Sequence, residues 1–429
     1  MTFLYKSDNF INQSILFSLV LLLFLHFIKE EFIFYYPLLI AAYTLGVFQF
    51  LKNQPVKINQ TPVFNVYLIF ICYSIFVVIW TLTFYSVEGN YIKFNFFQYF
   101  NASARLLLMP LLVVSIYSLI IKKDNFFKLQ IFFVIACCIG SLSMMLQQFV
   151  GGINMLGHYG APRFMGLHTY PSTLGNITIY GSVVGLAILI TLMNDKIKFF
   201  FKSIIFSILF LGVFLTMQKS ALVNLVIVLT FISIFNFKNT LKILGLSIIL
   251  MSIVFIIFPE IITNIFSLIT NTFGIKISGV TKAGIYLPIF DLFMDRQFEW
   301  FNEPKSFIEF LFGWGLPGGS DALGYTFITQ PGFFAIGTTH NQYLDLFQIG
   351  GIFLILIFLA FLIFVNLELL SRWIINKDEM SKVFFLCNII FAINCTVANG
   401  ILFHPIASFI FWISVCYVLM PYHRESTLL

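Results

Sequence analysis

The chain has 429 residues, of which 60% are hydrophobic and only 10% charged, with a mean hydropathy of +0.97 and a formal net charge of +6. A soluble domain carries about 25% charged residues, so a water-soluble core is excluded: lipid must solvate the remaining apolar surface. The basic residues are scattered through short loops, which sets topology and argues against nucleic acid as a partner.

The apolar runs are long and lack the period-2 alternation of barrel strands, so the fold class is an all-α polytopic membrane protein. About 12 transmembrane helices are expected, at 12–28, 32–51, 63–85, 98–121, 129–149, 173–193, 203–217, 221–236, 242–258, 341–366, 383–400 and 401–419. The chain thus divides into 1–258 with helices 1–9, a large extracytoplasmic loop at 259–339, and 340–429 with helices 10–12. The first apolar run follows Lys6 without a small-residue cleavage site and reads as a retained span. All six cysteines fall inside apolar runs, with neither a disulfide framework nor a CxxC knuckle.

Orientation follows from the basic loops. Most of the 24 Lys and Arg residues, among them Lys52, Lys122, Lys123, Lys196, Lys198, Lys238 and Arg372, fall in one set of alternate short loops. The positive-inside rule places that set and both termini in the cytoplasm. The opposite, outer set holds two conspicuous segments, Gly151–Ser172 and Pro259–Thr339. The second contains several prolines and the run Phe312-Gly-Trp-Gly-Leu-Pro-Gly-Gly319. Its apolar content, as at Tyr286 to Phe293, predicts that it folds back onto the membrane surface.

Charges at or within lipid need a reason. Arg105 falls about two turns into the fourth span, where snorkelling to the outer surface and a substrate role weigh equally. Arg163 lies just upstream of Pro171-Ser172, a pattern that by itself is helix initiation. Lys219 occupies an outer hairpin turn at Gln218–Ser220 with almost no loop. Arg296 lies in Asp295-Arg-Gln-Phe-Glu-Trp300, whose bland reading is a solvated amphipathic helix. His340 and Asn341 open the tenth span, with Thr338 or Thr339 as the expected cap, His340 in the first turn and Asp345 about a turn deeper. A helix N-terminus favours anions and the neutral form of a nearby imidazole. Any one of these residues has an ordinary structural explanation. As a group, they gather cations and one histidine on the outer face, where a pyrophosphate-bearing lipid would stand. No Walker A loop, HExxH or GxSxG is present. Glu30 and Glu31 sit in a loop of only a few residues and read as interface charges, so no metal and no cofactor are expected.

The order of these pieces resembles the O-antigen ligase/polymerase superfamily, which includes Wzy polymerases and WaaL ligases. The similar pieces are Arg163-Phe-Met-Gly-Leu followed by Pro171-Ser, the hairpin Leu215-Thr-Met-Gln-Lys-Ser-Ala221, Arg296 with Trp300 and Leu311-Phe-Gly-Trp-Gly315, and Thr339-His-Asn-Gln-Tyr-Leu-Asp345 running into Gly350-Gly. The family typically has Arg in the hairpin turn, where this chain has Lys219. The resemblance implies a GT-C-like fold and a metal-independent glycosyltransferase using an undecaprenyl-pyrophosphate-linked oligosaccharide. It implies that His340 and Arg296 are catalytic, and that Arg163, Lys219, Arg105 and Asn341 bind substrate. It implies the bacterial inner membrane, a site facing the periplasm, and a chain-length regulator as a candidate protein partner. The Arg163-x-x-Gly166-Leu segment favours an O-antigen polymerase, with an O-antigen ligase as the alternative. A flippase for the same lipid is the rival class, though no internal repeat is visible. A peptidoglycan polymerase of the shape-and-division family is a further rival, without its acidic loop signature here.

Overall fold

A computed structural model describes residues 61–87, 96–119, 123–150, 177–215, 219–257, 306–316, 341–397, 401–404 and 406–419, with isolated positions before residue 61. Among the described residues the chain is helical, with no strand. The helices are α1 Pro62–Val87, α2 Phe96–Leu119, α3 Lys123–Val150, α4 Ile177–Met193, α5 Phe199–Leu215, α6 Lys219–Ile257, α7 Phe307–Phe312, α8 Gln342–Asn376, α9 Glu379–Val397 and α10 Phe409–Leu419.

Four of them contain stretches long and apolar enough to cross a membrane: Pro62–Thr83, Asn125–Leu142, Gln342–Asn376 and Glu379–Thr396. Shorter apolar helices include Val183–Met193, Phe199–Val213, Ala221–Phe235 and Phe409–Leu419. Over the most apolar 18 residues of each, only 28% of α1 and 33% of α8 are buried by protein, against 56% for α3 and α9. Bare Ile75, Ile79 and Leu82 on α1, and Leu356, Ile363 and Leu367 on α8, form an apolar flank that lipid would cover.

The sequence expectations need four corrections. First, the stretches 221–236 and 242–258 belong to one helical run, α6. Phe237-Lys-Asn-Thr-Leu241 is polar enough to suggest a loop, but it holds no Pro or Gly to break a helix. A straight rod of that length would reach about 58 Å. Instead Ser247 Oγ donates to Ser203 O at 3.3 Å, and Lys202 Nζ reaches Leu192 O at 3.1 Å, so the second stretch lies beside α5 where α4 ends. Second, α8 runs past 366 to Asn376 and is broken at Gly350 and Gly351 (φ −131° and +66°). Third, the last span starts as a chain of turns at 401–404 and 406–408 before α10 begins, and Pro405 has no N–H to donate to a helix. Fourth, Lys219 is the first residue of α6 rather than part of the turn before it.

The core sits between α1, α8, α9 and α10. Phe70, Phe358, Phe361, Phe411 and Trp412 are all buried and meet at ring-centroid distances of 5.0–6.4 Å. Asn388 Nδ2 donates to Ser414 Oγ at 2.9 Å, and Ser414 Oγ returns a bond to Asn388 Oδ1 at 3.2 Å. Such reciprocal pairing satisfies polar groups that lipid cannot.

Contacts between helices define two ends. At one, Arg372 near the end of α8 binds the last carbonyls of α10, Phe126 of α3 packs on Tyr417 at 5.0 Å, and Phe235 of α6 meets Trp373 at 5.5 Å. Lys196, after α4, stands 4.5 Å over Phe127, which places the end of α4 here too. The opposite end therefore holds the end of α1, Val150, Ile177, Leu215, Lys219 and Asn341. A close contact confirms part of this: a Cβ on Gly181 would come within 2.5 Å of Ala221 Cβ, so α4 and α6 start side by side.

Candidate functional site

Asn341, expected to bind substrate, has a structural task. Asn341 is the N-cap of α8, with φ −145° and ψ 112°. Its Oδ1 accepts from Tyr343 N at 2.9 Å and Leu344 N at 3.3 Å. The cap is thus Asn341 rather than Thr338 or Thr339, in keeping with the stronger capping of a short amide. The helix itself begins at Gln342. The Asn341 Oδ1 is thus committed to the backbone of its own helix.

The half-helix that follows, Gln342–Ile349, is polar and yet enclosed. Gln342 is 0% exposed, Asp345 3% and Gln348 2%. With Asn341 they occupy an arc of about 120° around the helix. Across from that arc lie the end of α9 and the 401–404 turn. Leu402 N donates to Gln342 Oε1 at 3.0 Å, Tyr343 Oη donates to Ala392 O at 3.0 Å, and Asp345 stands within electrostatic range of Cys395. Buried Asn394 and His404 adjoin these contacts in sequence. Neither amide nitrogen of Gln342 and Gln348 has a hydrogen-bond partner. Hydropathy reading passed over Gln342, Gln348, Asn394 and His404; the available signal was a polar side chain inside an apolar run.

The break in α8 is closed by a second element. Trp314 N donates to Gln348 O at 2.7 Å and Gly315 N to Ile349 O at 3.0 Å, replacing the bonds the helix loses at Gly350 and Gly351. Three α1 side chains complete the joint. Tyr73 Oη donates to Gly350 O at 2.8 Å, Trp80 Nε1 donates to Gly313 O at 3.1 Å, and Thr81 Oγ1 accepts from Leu316 N at 2.9 Å. Glycine is required by space and by conformation. A Cβ at Gly313 would fall 2.6 Å from Gly351 N, and one at Gly351 would fall 2.2 Å from Leu311 O, with φ of +70° and +66° at the two positions. Just upstream, α7 starts at a capping box: Ser306 Oγ accepts from Glu309 N, and Glu309 Oε2 accepts from Ser306 N.

Of the expected site residues, Arg105 is half-buried on α2, which packs on α10 and α1, whereas Asn341 begins α8. Lys219 opens α6 at the Asn341 end of the bundle. His340, Arg163 and Arg296 lie outside the described residues. The segment containing Arg163 is bounded by Val150 and Ile177, and the one containing His340 ends at Asn341. Those boundaries share one end of the bundle with Lys219. Compared with family models and with curated proteins, the chain finds no match in either.

Proposed function

We propose that this protein is a membrane glycosyltransferase that polymerises a surface polysaccharide at the outer face of a bacterial inner membrane. The donor is a growing glycan on undecaprenyl pyrophosphate, and the acceptor is a hydroxyl on a single lipid-linked repeat unit. His340 takes the acceptor proton as the new glycosidic bond forms. The bond between the donor's anomeric carbon and pyrophosphate breaks, and Arg163, Lys219 and Arg296 stabilise the charge on the leaving group. Arg105 lines the lipid-facing approach. The observation that carries the reading is the common end shared by Val150, Ile177, Lys219 and Asn341, the residues that bound or bear the cationic motifs and the histidine.

The broken helix α8 favours a second reading, a lipid-linked glycan flippase, because transporters break helices at membrane midplanes. The position of the break weighs against it. The stretch from Ile352 to Asn376 measures roughly 37 Å, enough by itself to cross a hydrocarbon core of about 30 Å. A break so near one end of α8 fits a membrane boundary better than a midplane.

The test is the surface glycan of a deletion strain with the gene restored as wild type or as His340→Ala. Lipid A-core carrying a single repeat unit in the deletion strain, not corrected by His340→Ala, is the expected result. Polymer retained on undecaprenyl pyrophosphate would make the protein the ligase. An unchanged ladder in the deletion strain would overturn the glycan reading.

A further inference from the structure

The half-helix Gln342–Ile349 buries more polar groups than its own fold uses. Asn341 spends its side-chain oxygen on the cap, and Gln342 Oε1 receives Leu402 N. The amide nitrogens of Gln342 and Gln348 are left buried without a partner, and the Asp345 carboxylate lies on the same arc, 3% exposed. The two orphaned amide nitrogens are costly in an apolar bundle unless something pairs with them. Intramembrane polar residues of this kind mark sites by default.

The chemistry of the group selects among ligands. It offers amide donors and one carboxylate acceptor, and its described members, Asn341, Gln342, Asp345, Gln348, Asn394 and His404, include no Lys or Arg. A phosphate would be repelled by Asp345 and would find no cation among these described members. A sugar ring is different. Each hydroxyl both donates and accepts, so neighbouring hydroxyls can satisfy a carboxylate and an amide together. We infer that the polar arc Gln342–Asp345–Gln348 is a binding subsite for the neutral hydroxyls of the acceptor's terminal sugar, separate from the cations that face pyrophosphate. This rests on the glycosyltransferase reading above and adds the residues that hold the acceptor. The 401–404 turn, bonded to Gln342 through Leu402, forms a wall of this arc. Asp345 acts here as a hydrogen-bond acceptor that orients the attacking hydroxyl.

The experiment uses full-length protein in membrane vesicles. Its substrate is the lipid extract of the deletion strain, which accumulates the natural lipid-linked repeat unit. Initial polymerisation rates are measured against the amount of extract for wild type, Asp345→Asn, Asp345→Glu and Gln348→Met, together with the melting temperature of each purified variant. Asp345→Asn and Gln348→Met are expected to raise the half-saturating amount tenfold or more while the maximum rate falls less, with Asp345→Glu between them and wild type. Wild-type half-saturation in both Asp345→Asn and Gln348→Met would overturn the subsite. So would a loss of maximum rate and melting temperature together, at unchanged half-saturation, since that pattern belongs to a structural role. If wild type forms no polymer and the deletion strain has a normal ladder, the glycosyltransferase reading falls and takes the subsite with it. Active wild type beside unaffected variants removes the subsite alone.

Discussion

Helix α8 is closed differently at its two ends. Near its C-terminus, side chains do the work. Arg372 donates to Glu368 Oε1 at 2.8 Å and to Tyr417 O at 2.9 Å, and also to Val418 O, satisfying the last carbonyls of α10. Asp378 accepts from Ser381 Oγ and Tyr417 Oη, tying α9 to the same point. Near its N-terminus, backbone meets backbone: two peptide N–H groups of the Gly313–Gly315 turn enter the gap at Gly350–Gly351. The side-chain knot uses groups that several residue types could replace at an energetic cost. The backbone joint depends on the absence of atoms, and nothing but glycine supplies that. One end of the helix is therefore sensitive to chemistry and the other to volume.

This difference can be broken from either side. The largest effect is expected from Gly351→Val, whose Cβ would meet Leu311 O at 2.2 Å in a left-handed conformation; folded protein should be lost, seen as absence of a monodisperse peak after detergent extraction. Next comes Arg372→Met, which keeps the bulk of the side chain and removes every donor. It leaves two buried carbonyls unpaired and should cost about 3 kcal/mol, read as a lower midpoint in thermal unfolding of the detergent-solubilised protein. The smallest is Trp80→Phe, which keeps an aromatic ring beside Phe312 but removes the N–H to Gly313 O and part of the ring's volume, for about 1–2 kcal/mol. An equal loss from Trp80→Phe and Arg372→Met would erase the distinction between the two ends.

The sequence revealed what depends on composition and spacing. The apolar stretches of α1, α3, α8 and α9 stand out by hydropathy, and the Gly-rich run and the Gly350-Gly351 pair were both visible as motifs. Their partnership was not, because it joins residues that no local pattern connects. The cap at Asn341 was missed for a related reason: three adjacent residues could all cap a helix, and φ and ψ decide among them. The continuity of α6 was hidden by Lys238 and Asn239, polar residues that tolerate a helix while looking like a loop. Polar side chains such as Gln348 and Asn394 were averaged away by the apolar windows around them.

The joint at Gly350 also imposes an order on biosynthesis. Thr81 Oγ1 and Leu316 N are 235 positions apart, and α8 follows later still. At roughly 5–20 residues per second, a ribosome needs on the order of 10–50 s to deliver the second partner after the first. During that time the face of α1 that carries Tyr73, Trp80 and Thr81 waits for acceptors and a donor not yet made. The nascent protein must keep that groove from pairing with the wrong segment until about four-fifths of the chain has emerged, a demand that falls on the insertion machinery rather than on the finished fold.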